Sequence, residues 1–255
     1  MLTRNQAKLI TSLHQKKFRK EENLFIAEGE KVVSDLLLSE VYVREIYCTE
    51  EFVTRQTKTS AFYGRKNLVI IEEDELKKIS ALSTPQQVLA LADIPGEDED
   101  INYESGLKLV FDNIKDPGNM GTLIRTADWF GIREVICSLE CVDCYNPKVV
   151  QGAMGSLFRL KMFNRNLKEL FHINSSKNNL PVYGMVLNGN NIYEEELFKD
   201  GFILIGNEST GIEEEHISFI SKALTIPASS STKANSLNVA IASGIVCSEF
   251  FRRKQ

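Results

Sequence analysis

No apolar run in this chain of 255 residues approaches the roughly 20 residues that a membrane-spanning helix needs. The start is polar and basic, without the apolar core of a secretory leader. Its five cysteines, an odd number, suit reduced thiols better than a disulfide framework. The expected location is therefore the cytoplasm, with no membrane partner. Neither Gly-x-Gly-x-x-Gly nor Gly-x-x-x-x-Gly-Lys-Ser/Thr occurs, so neither a dinucleotide fold of the usual kind nor a kinase or GTPase is supported. Internal repeats and low-complexity tracts are missing too. Acid is absent from the first twenty residues, which hold Arg4, Lys8, Lys16, Lys17, Arg19 and Lys20. A net charge of -5 argues against non-specific coating of nucleic acid, yet such a basic end can meet phosphates. Taken alone, a basic run of this kind reads as a solvated helix end ahead of a nucleic-acid contact; Arg4, Lys16, Lys17, Arg19 and Lys20 are the candidates for an RNA contact.

A hydrophobic content of 43% and a charged content of 25% are those of an ordinary globular protein. Asn5 to Leu13 reads as a helix and Lys16 to Lys20 as a basic turn after it. Phe25 to Ala27, Val43 to Cys48, Leu68 to Ile71 and Val88 to Ala92 read as strands with helical segments between them, a small α/β unit over residues 1–95. Residues 96–106, with Glu97, Asp98, Glu99, Asp100 and Glu104, are the linker candidate. Over 107–255, strands at Leu109 to Phe111, Glu134 to Cys137, Pro181 to Leu187, Gly201 to Ile205 and Ala223 to Ile226 alternate with helical patterns. That alternation predicts a mainly parallel sheet covered by helices, with ligands at the carboxyl ends of the strands.

Three loops at strand ends carry the unusual residues. Asp112 to Asn119 has turn chemistry and leads into a helix in which Met120, Leu123, Ala127 and Phe130 share a face. Arg125 lies about 200° around that helix from Leu123 and so points away from the packed face. An apolar strand runs into Gly206, Asn207, Glu208 and Gly211, where backbone can come close to a ligand and a carboxylate sits at the edge of an apolar site. The third loop follows Ile226-Pro227, is rich in Ser and Thr, and ends at Ser236-Leu237-Asn238, with Ser236 a candidate helix cap. Cys137, Cys141 and Cys144 cluster, but with no fourth ligand nearby they read as ordinary thiols, and no metal is expected. Trp129 and Phe130 read as core or dimer packing.

Together the loops resemble the three motifs of the SpoU/TrmH-type RNA ribose 2'-O-methyltransferases. Asn146 to Val150 and Ala153 to Arg159 are similar to that family's segment between its first two motifs. Phe25-Ile26-Ala27-Glu28-Gly29 resembles its accessory RNA-binding domain, similar to the ribosomal L30e and L7Ae fold. The resemblance implies an α/β architecture of a small L30e-like domain followed by a parallel-sheet domain with a deep trefoil knot. It further implies S-adenosylmethionine as cofactor and a homodimer formed through the C-terminal domain. Asn119, Arg125, Glu208, Ser236 and Asn238 match the family's catalytic set. Leu187, Ile205, Gly206, Asn207, Ile226, Ser236 and Leu237 match its cofactor contacts. None of His14, His172 and His216 lies within the motifs, so the usual base is missing there. Arginine keeps its proton to above roughly pH 12, so Arg125 is expected to position the hydroxyl and its phosphate. The implied reaction is methyl transfer to a ribose 2'-hydroxyl of RNA, ribosomal RNA ahead of transfer RNA. The alternatives are a transfer RNA 2'-O-methyltransferase, a base methyltransferase, or a non-catalytic RNA-binding or ribosome-assembly factor.

Overall fold

The computed structural model describes residues 2–96 and 100–252; Glu97, Asp98 and Glu99 of the expected linker lie outside the described residues. The first helix, α1 (Arg4–Ser12), is capped by Thr3, whose side chain accepts from the Gln6 amide while Gln6 reaches back to the Thr3 N–H. Lys16 to Lys20, expected as a turn, belongs to a helix, α2 (Lys16–Glu22), closed by Asn23 at φ 53°, the left-handed conformation that asparagine tolerates. Then follow β1 (Leu24–Glu28), α3 (Glu30–Leu37), β2 (Val43–Cys48), α4 (Glu50–Thr54), β3 (Leu68–Ile70), α5 (Glu73–Ile79) and β4 (Val88–Asp93). Beyond the linker come β5 (Leu107–Phe111), α6 (Pro117–Trp129), β6 (Glu134–Ser138), α7 (Pro147–Ala153), a 3-10 turn at Ser156–Arg159, β7 (Lys161–Arg165) and α8 (Leu167–Ser176). The chain continues through β8 (Val182–Asn191), β9 (Gly201–Ile205), α9 (Glu214–Ile217), β10 (Lys222–Thr225) and α10 (Val239–Arg252). Among the described residues no helix is long and apolar enough to cross a membrane.

Two compact units result: Met1–Gly96 with Asp143–Arg159, and Glu97–Val142 with Leu160–Gln255. The first holds a four-stranded sheet in the order β1-β4-β2-β3, antiparallel except for the β2–β3 pair. Ile10, Leu13, Leu24, Tyr47 and Leu89 are among the buried residues of its core. Phe25 of β1 meets Tyr145 and Phe158, at ring-centroid distances of 5.0 and 6.0 Å, which seats the 143–159 segment on this sheet.

The second unit holds six parallel strands in the order β10-β8-β9-β5-β6-β7. Strands buried on both faces must be apolar throughout, and β5 and β9 are buried at every position. On one face Phe171 of α8 meets Phe202 of β9 edge-on at 6.1 Å, while α6 and α10 pack against each other. Strand β7 was not expected. It is an edge strand in which only Phe163 is buried, so its apolar signal is short. Strand β8 runs on past Leu187, because after pairing β9 through Met185↔Ile205 it rejoins β10 at Asn190 and Asn191. Met185–Gly189 stand between the two halves of the β8–β10 ladder. Strand β8 thus bulges out of its pairing with β10 over these residues.

Candidate active site

Three segments converge at the carboxyl ends of β5, β9 and β10. The first begins with Asp116, which caps α6 by accepting from the Asn119 N–H at 2.8 Å, with Pro117 at the first helical position. The backbone of Asn119 is thereby fixed in the first turn while its side chain stays available. The second is the turn after β9, closed by reciprocal backbone hydrogen bonds of 2.9 Å between Asn207 and Gly211 and by the Asn207 side chain accepting from the N–H groups of Ser209 and Thr210. Glu208 projects from that turn. The third is the start of α10. Here the structure corrects the expectation for Ser236: Asn238 is the cap, its Oδ1 accepting from the Ala240 and Ile241 N–H groups at 3.0 and 3.4 Å, and the helix begins at Val239.

These side chains meet in sequence. Asn119 Nδ2 donates to Glu208 Oε1 at 2.5 Å, and Asn238 Nδ2 donates to Asn119 Oδ1 at 3.0 Å. Each amide is used at both ends, so the three residues hold one another's orientation. Arg125 is exposed, on the face of α6 opposite the buried Leu123, and among the described residues it makes no hydrogen bond or ion pair. Its guanidinium is available for an anion. Ser236 and Leu237 are exposed in the loop before α10 and stand outside the hydrogen-bonded set. Leu187 is also exposed, at 70%, in the bulge of β8. Ile226 is half-buried, whereas Ile205 is buried and its carbonyl accepts from the Asp112 N–H, so Ile205 forms floor.

Gly206 explains the shape of the β9 turn. A Cβ there would lie 2.2 Å from the Gly211 carbonyl carbon and 2.3 Å from the Ile212 nitrogen. Beneath the turn lies a layer that the motif pattern did not disclose. Asn207 Nδ2 donates to the Asn113 carbonyl at 2.8 Å, Asn113 Nδ2 donates to Glu213 Oε1 at 2.7 Å, and the Glu213 N–H donates to Asp112 Oδ2 at 2.9 Å. Cys141 is buried there, and a hydrogen bond with Cys137 draws its thiol down to about 7. Among the described residues no group of three His, Cys, Asp or Glu side chains is placed to hold a metal.

In the other unit the expected RNA contacts divide. Arg4, Lys16, Lys17 and Lys20 are exposed. Arg19 is 1% exposed: its Nε and Nη2 both donate to Asp143 Oδ2, at 2.8 and 2.6 Å, and its Nη1 donates to the Leu13 carbonyl at 2.6 Å. A guanidinium so enclosed cannot reach a phosphate, and Arg19 is corrected to a structural residue. Trp129, expected in packing, is 84% exposed on α6.

The profile of the SpoU rRNA Methylase family matches residues 106–248, more than half of the chain and all three converging segments. The chain belongs to the SpoU rRNA methylase family. An MRM3-like substrate binding domain matches residues 4–90. The 23S rRNA (guanosine(2553)-2'-O)-methyltransferase RlmP of Bacillus subtilis is 32% identical over 238 residues, 92% of this chain and 91% of that protein. Among solved structures, a protein of the TrmH family of RNA methyltransferases from Porphyromonas gingivalis superimposes with a TM-score of 0.87 at 37% identity, covering 99% of each chain. The AdoMet-bound rRNA methyltransferase from Sinorhizobium meliloti gives 0.84 at 27% identity, over 100% of this chain and 98% of that one. The α/β architecture and parallel sheet expected from the sequence are those of this family.

Proposed function

We propose that this member of the SpoU family transfers the methyl group of S-adenosylmethionine to a ribose 2'-hydroxyl of ribosomal RNA. The observation that carries the reading is the hydrogen-bonded series Asn238–Asn119–Glu208 with Arg125, which makes no hydrogen bond or ion pair among the described residues, on the same helix as Asn119. The near full-length likeness to a 23S rRNA 2'-O-methyltransferase supports ribosomal RNA ahead of transfer RNA. When bound, S-adenosylmethionine supplies an electrophilic sulfonium methyl. The residues on these loops fit such a group: Leu187 and Leu237 expose apolar side chains, 70% and 48%, and the glycine at 206 lets the following turn lie close to the strand end. Leu187, Gly206, Asn207, Ile226 and Leu237 would hold it, with Ile205 beneath.

The chain's own residues then have separate parts. Arg125 presents a planar fork to the ribose hydroxyl and its neighbouring phosphate, fixing the line of attack. Asn119, itself held by Asn238, holds Glu208, a carboxylate on the converging loops that can accept the hydroxyl proton, which balances the step. The exposed cations Arg4, Lys16, Lys17 and Lys20 hold RNA phosphates through the other unit. A second copy of the chain covers α6 and α10, a reading supported by Trp129 and Ile241, 84% and 58% exposed on those helices. The C-terminal segment is read as knotted on the likeness to the family alone.

Labelled S-adenosylmethionine offered with unmodified ribosomal and transfer RNA tests the reading. Label recovered as 2'-O-methylribose from the ribosomal pool is the expected product. Label on a base, or in transfer RNA alone, would replace it with one of the alternative methyltransferases.

A further inference from the structure

His216 lies outside the motif residues, yet it is 5% exposed and its Nδ1 is 2.8 Å from Asp112 Oδ2. A carboxylate can only accept, so Nδ1 carries the proton. Asp112 is fully buried at the end of the central strand β5, and its Oδ1 makes no hydrogen bond among the described residues. The whole burden of holding this carboxylate therefore falls on Oδ2, shared by His216 and the Glu213 N–H. From Glu213 the connection runs through Asn113 to Asn207, whose neighbour Glu208 bonds to Asn119.

We propose that His216 is a positioning residue for methyl transfer: with Asp112 it fixes the Glu213–Asn113–Asn207 chain that holds Glu208 against Asn119. The proposal rests on the methyl-transfer reading above. Its physical basis is the cost of a buried polar group without partners. Removing the imidazole leaves a fully buried carboxylate with one donor, and relief comes by drawing in or releasing the Glu213 backbone. Each link is a single hydrogen bond of 2.9 Å or less from Asp112 to Asn207. A shift at Glu213 is thus passed to the turn that carries Glu208. On its far side His216 Nε2 lies 3.5 Å from Glu215, whose other oxygen Lys168 holds at 2.6 Å, keeping Glu215 below the usual carboxylate range.

Steady-state transfer by the full chain with H216A, H216N and N174A tests this. Asn174 is a buried polar residue of the same unit whose side chain bonds the Leu180 backbone and none of the Asp112–Glu213–Asn113–Asn207 chain, so N174A reports general destabilisation. With saturating cofactor, H216A is expected to lose about 10- to 100-fold in kcat, while KM for RNA stays within roughly twofold. H216N, whose amide can donate from the Nδ1 position, is expected to recover most of that loss, and N174A is expected to lower Tm with kcat unchanged. H216N as slow as H216A, or N174A slowed as much, would overturn the proposal. The crystal structure of H216A decides it independently of turnover: Glu208 is expected beyond hydrogen-bonding distance of Asn119, and a retained contact overturns the proposal. A native chain that transfers no methyl would instead remove the function proposed above, leaving the structural comparison to judge the positioning.

Discussion

Replacing Gly206 by alanine adds one carbon where the turn after β9 folds back on the strand end. That carbon would lie 2.2 Å from the Gly211 carbonyl carbon, 2.3 Å from the Ile212 nitrogen and 2.4 Å from the Gly211 oxygen, roughly 1 Å inside ordinary contact. All three are backbone atoms, so no rotamer change relieves the overlap. Overpacking of this kind costs about 1–3 kcal/mol, a fall in Tm of roughly 4–8 °C near the middle of that range. The functional loss should exceed the stability loss, because the backbone that must move carries Glu208 toward or away from Asn119, and a 1 Å misplacement costs about 100-fold in rate. Gly211 is the internal comparison. It has φ +74° with open space around it, so Gly211→Ala should cost roughly 1–2 kcal/mol through conformation alone, and Gly211→Asn less. Calorimetric titration with S-adenosylmethionine and thermal unfolding, run on Gly206→Ala and Gly211→Asn together, should show cofactor affinity lost in the first and largely kept in the second. Wild-type Tm and wild-type affinity in Gly206→Ala would refute the steric argument.

Further outcomes follow from other parts of the chain. Arg19→Ala leaves Asp143, 17% exposed, without its cation and should destabilise the first unit by about 3 kcal/mol in denaturant unfolding. Lys16→Glu with Lys17→Glu should instead weaken RNA binding and its salt dependence at unchanged Tm; equal effects of the two changes on stability would contradict the assignment of Arg19 to the interior. Burial pushes the thiols of Cys48 and Cys247 up to about 11 and about 12. Both then stay protonated at pH 8, and because they ionise more readily unfolded, the fold should lose stability as pH climbs from about 8.5 toward 12. Iodoacetamide at pH 8 should reach half-buried Cys144 first and Cys247 only after unfolding, read by peptide mass spectrometry. Trp129→Glu should convert a dimer into a monomer in light scattering if a second copy covers α6, and an unchanged mass would remove that reading.

The parts of the fold legible in the sequence are those written locally. Strands β5 and β9 are continuous apolar runs ending in polar turns, and such runs show without knowledge of their partners. The motif residues were readable because three separate loops carry them in a fixed order. Contacts between distant positions were not. Arg19 looked like one more cation of a basic end, since nothing near it announces Asp143, 124 residues away. His216 looked idle for the same reason, its partner Asp112 lying 104 residues earlier. Ser236 has the chemistry of a helix cap, but so has Asn238, and the choice between them depends on where α10 docks. Strand β7 shows only one buried residue because it is an edge. A paired acid spaced like Asp112 and a histidine just past the second motif would be the signal to seek in related chains.

The most direct measurement is single-turnover methyl transfer to unmodified ribosomal RNA by the native chain, Asn119→Ala and Arg125→Lys, with cofactor affinity measured alongside. Asn119→Ala breaks both hydrogen bonds of the Asn238–Asn119–Glu208 set, and Arg125→Lys keeps the charge but loses the planar fork. The account predicts that each falls at least about 100-fold in rate of 2'-O-methylribose formation while S-adenosylmethionine binds within roughly threefold of the native affinity. Near-native transfer by both variants would contradict it, and would place the chemistry elsewhere than on the three converging loops.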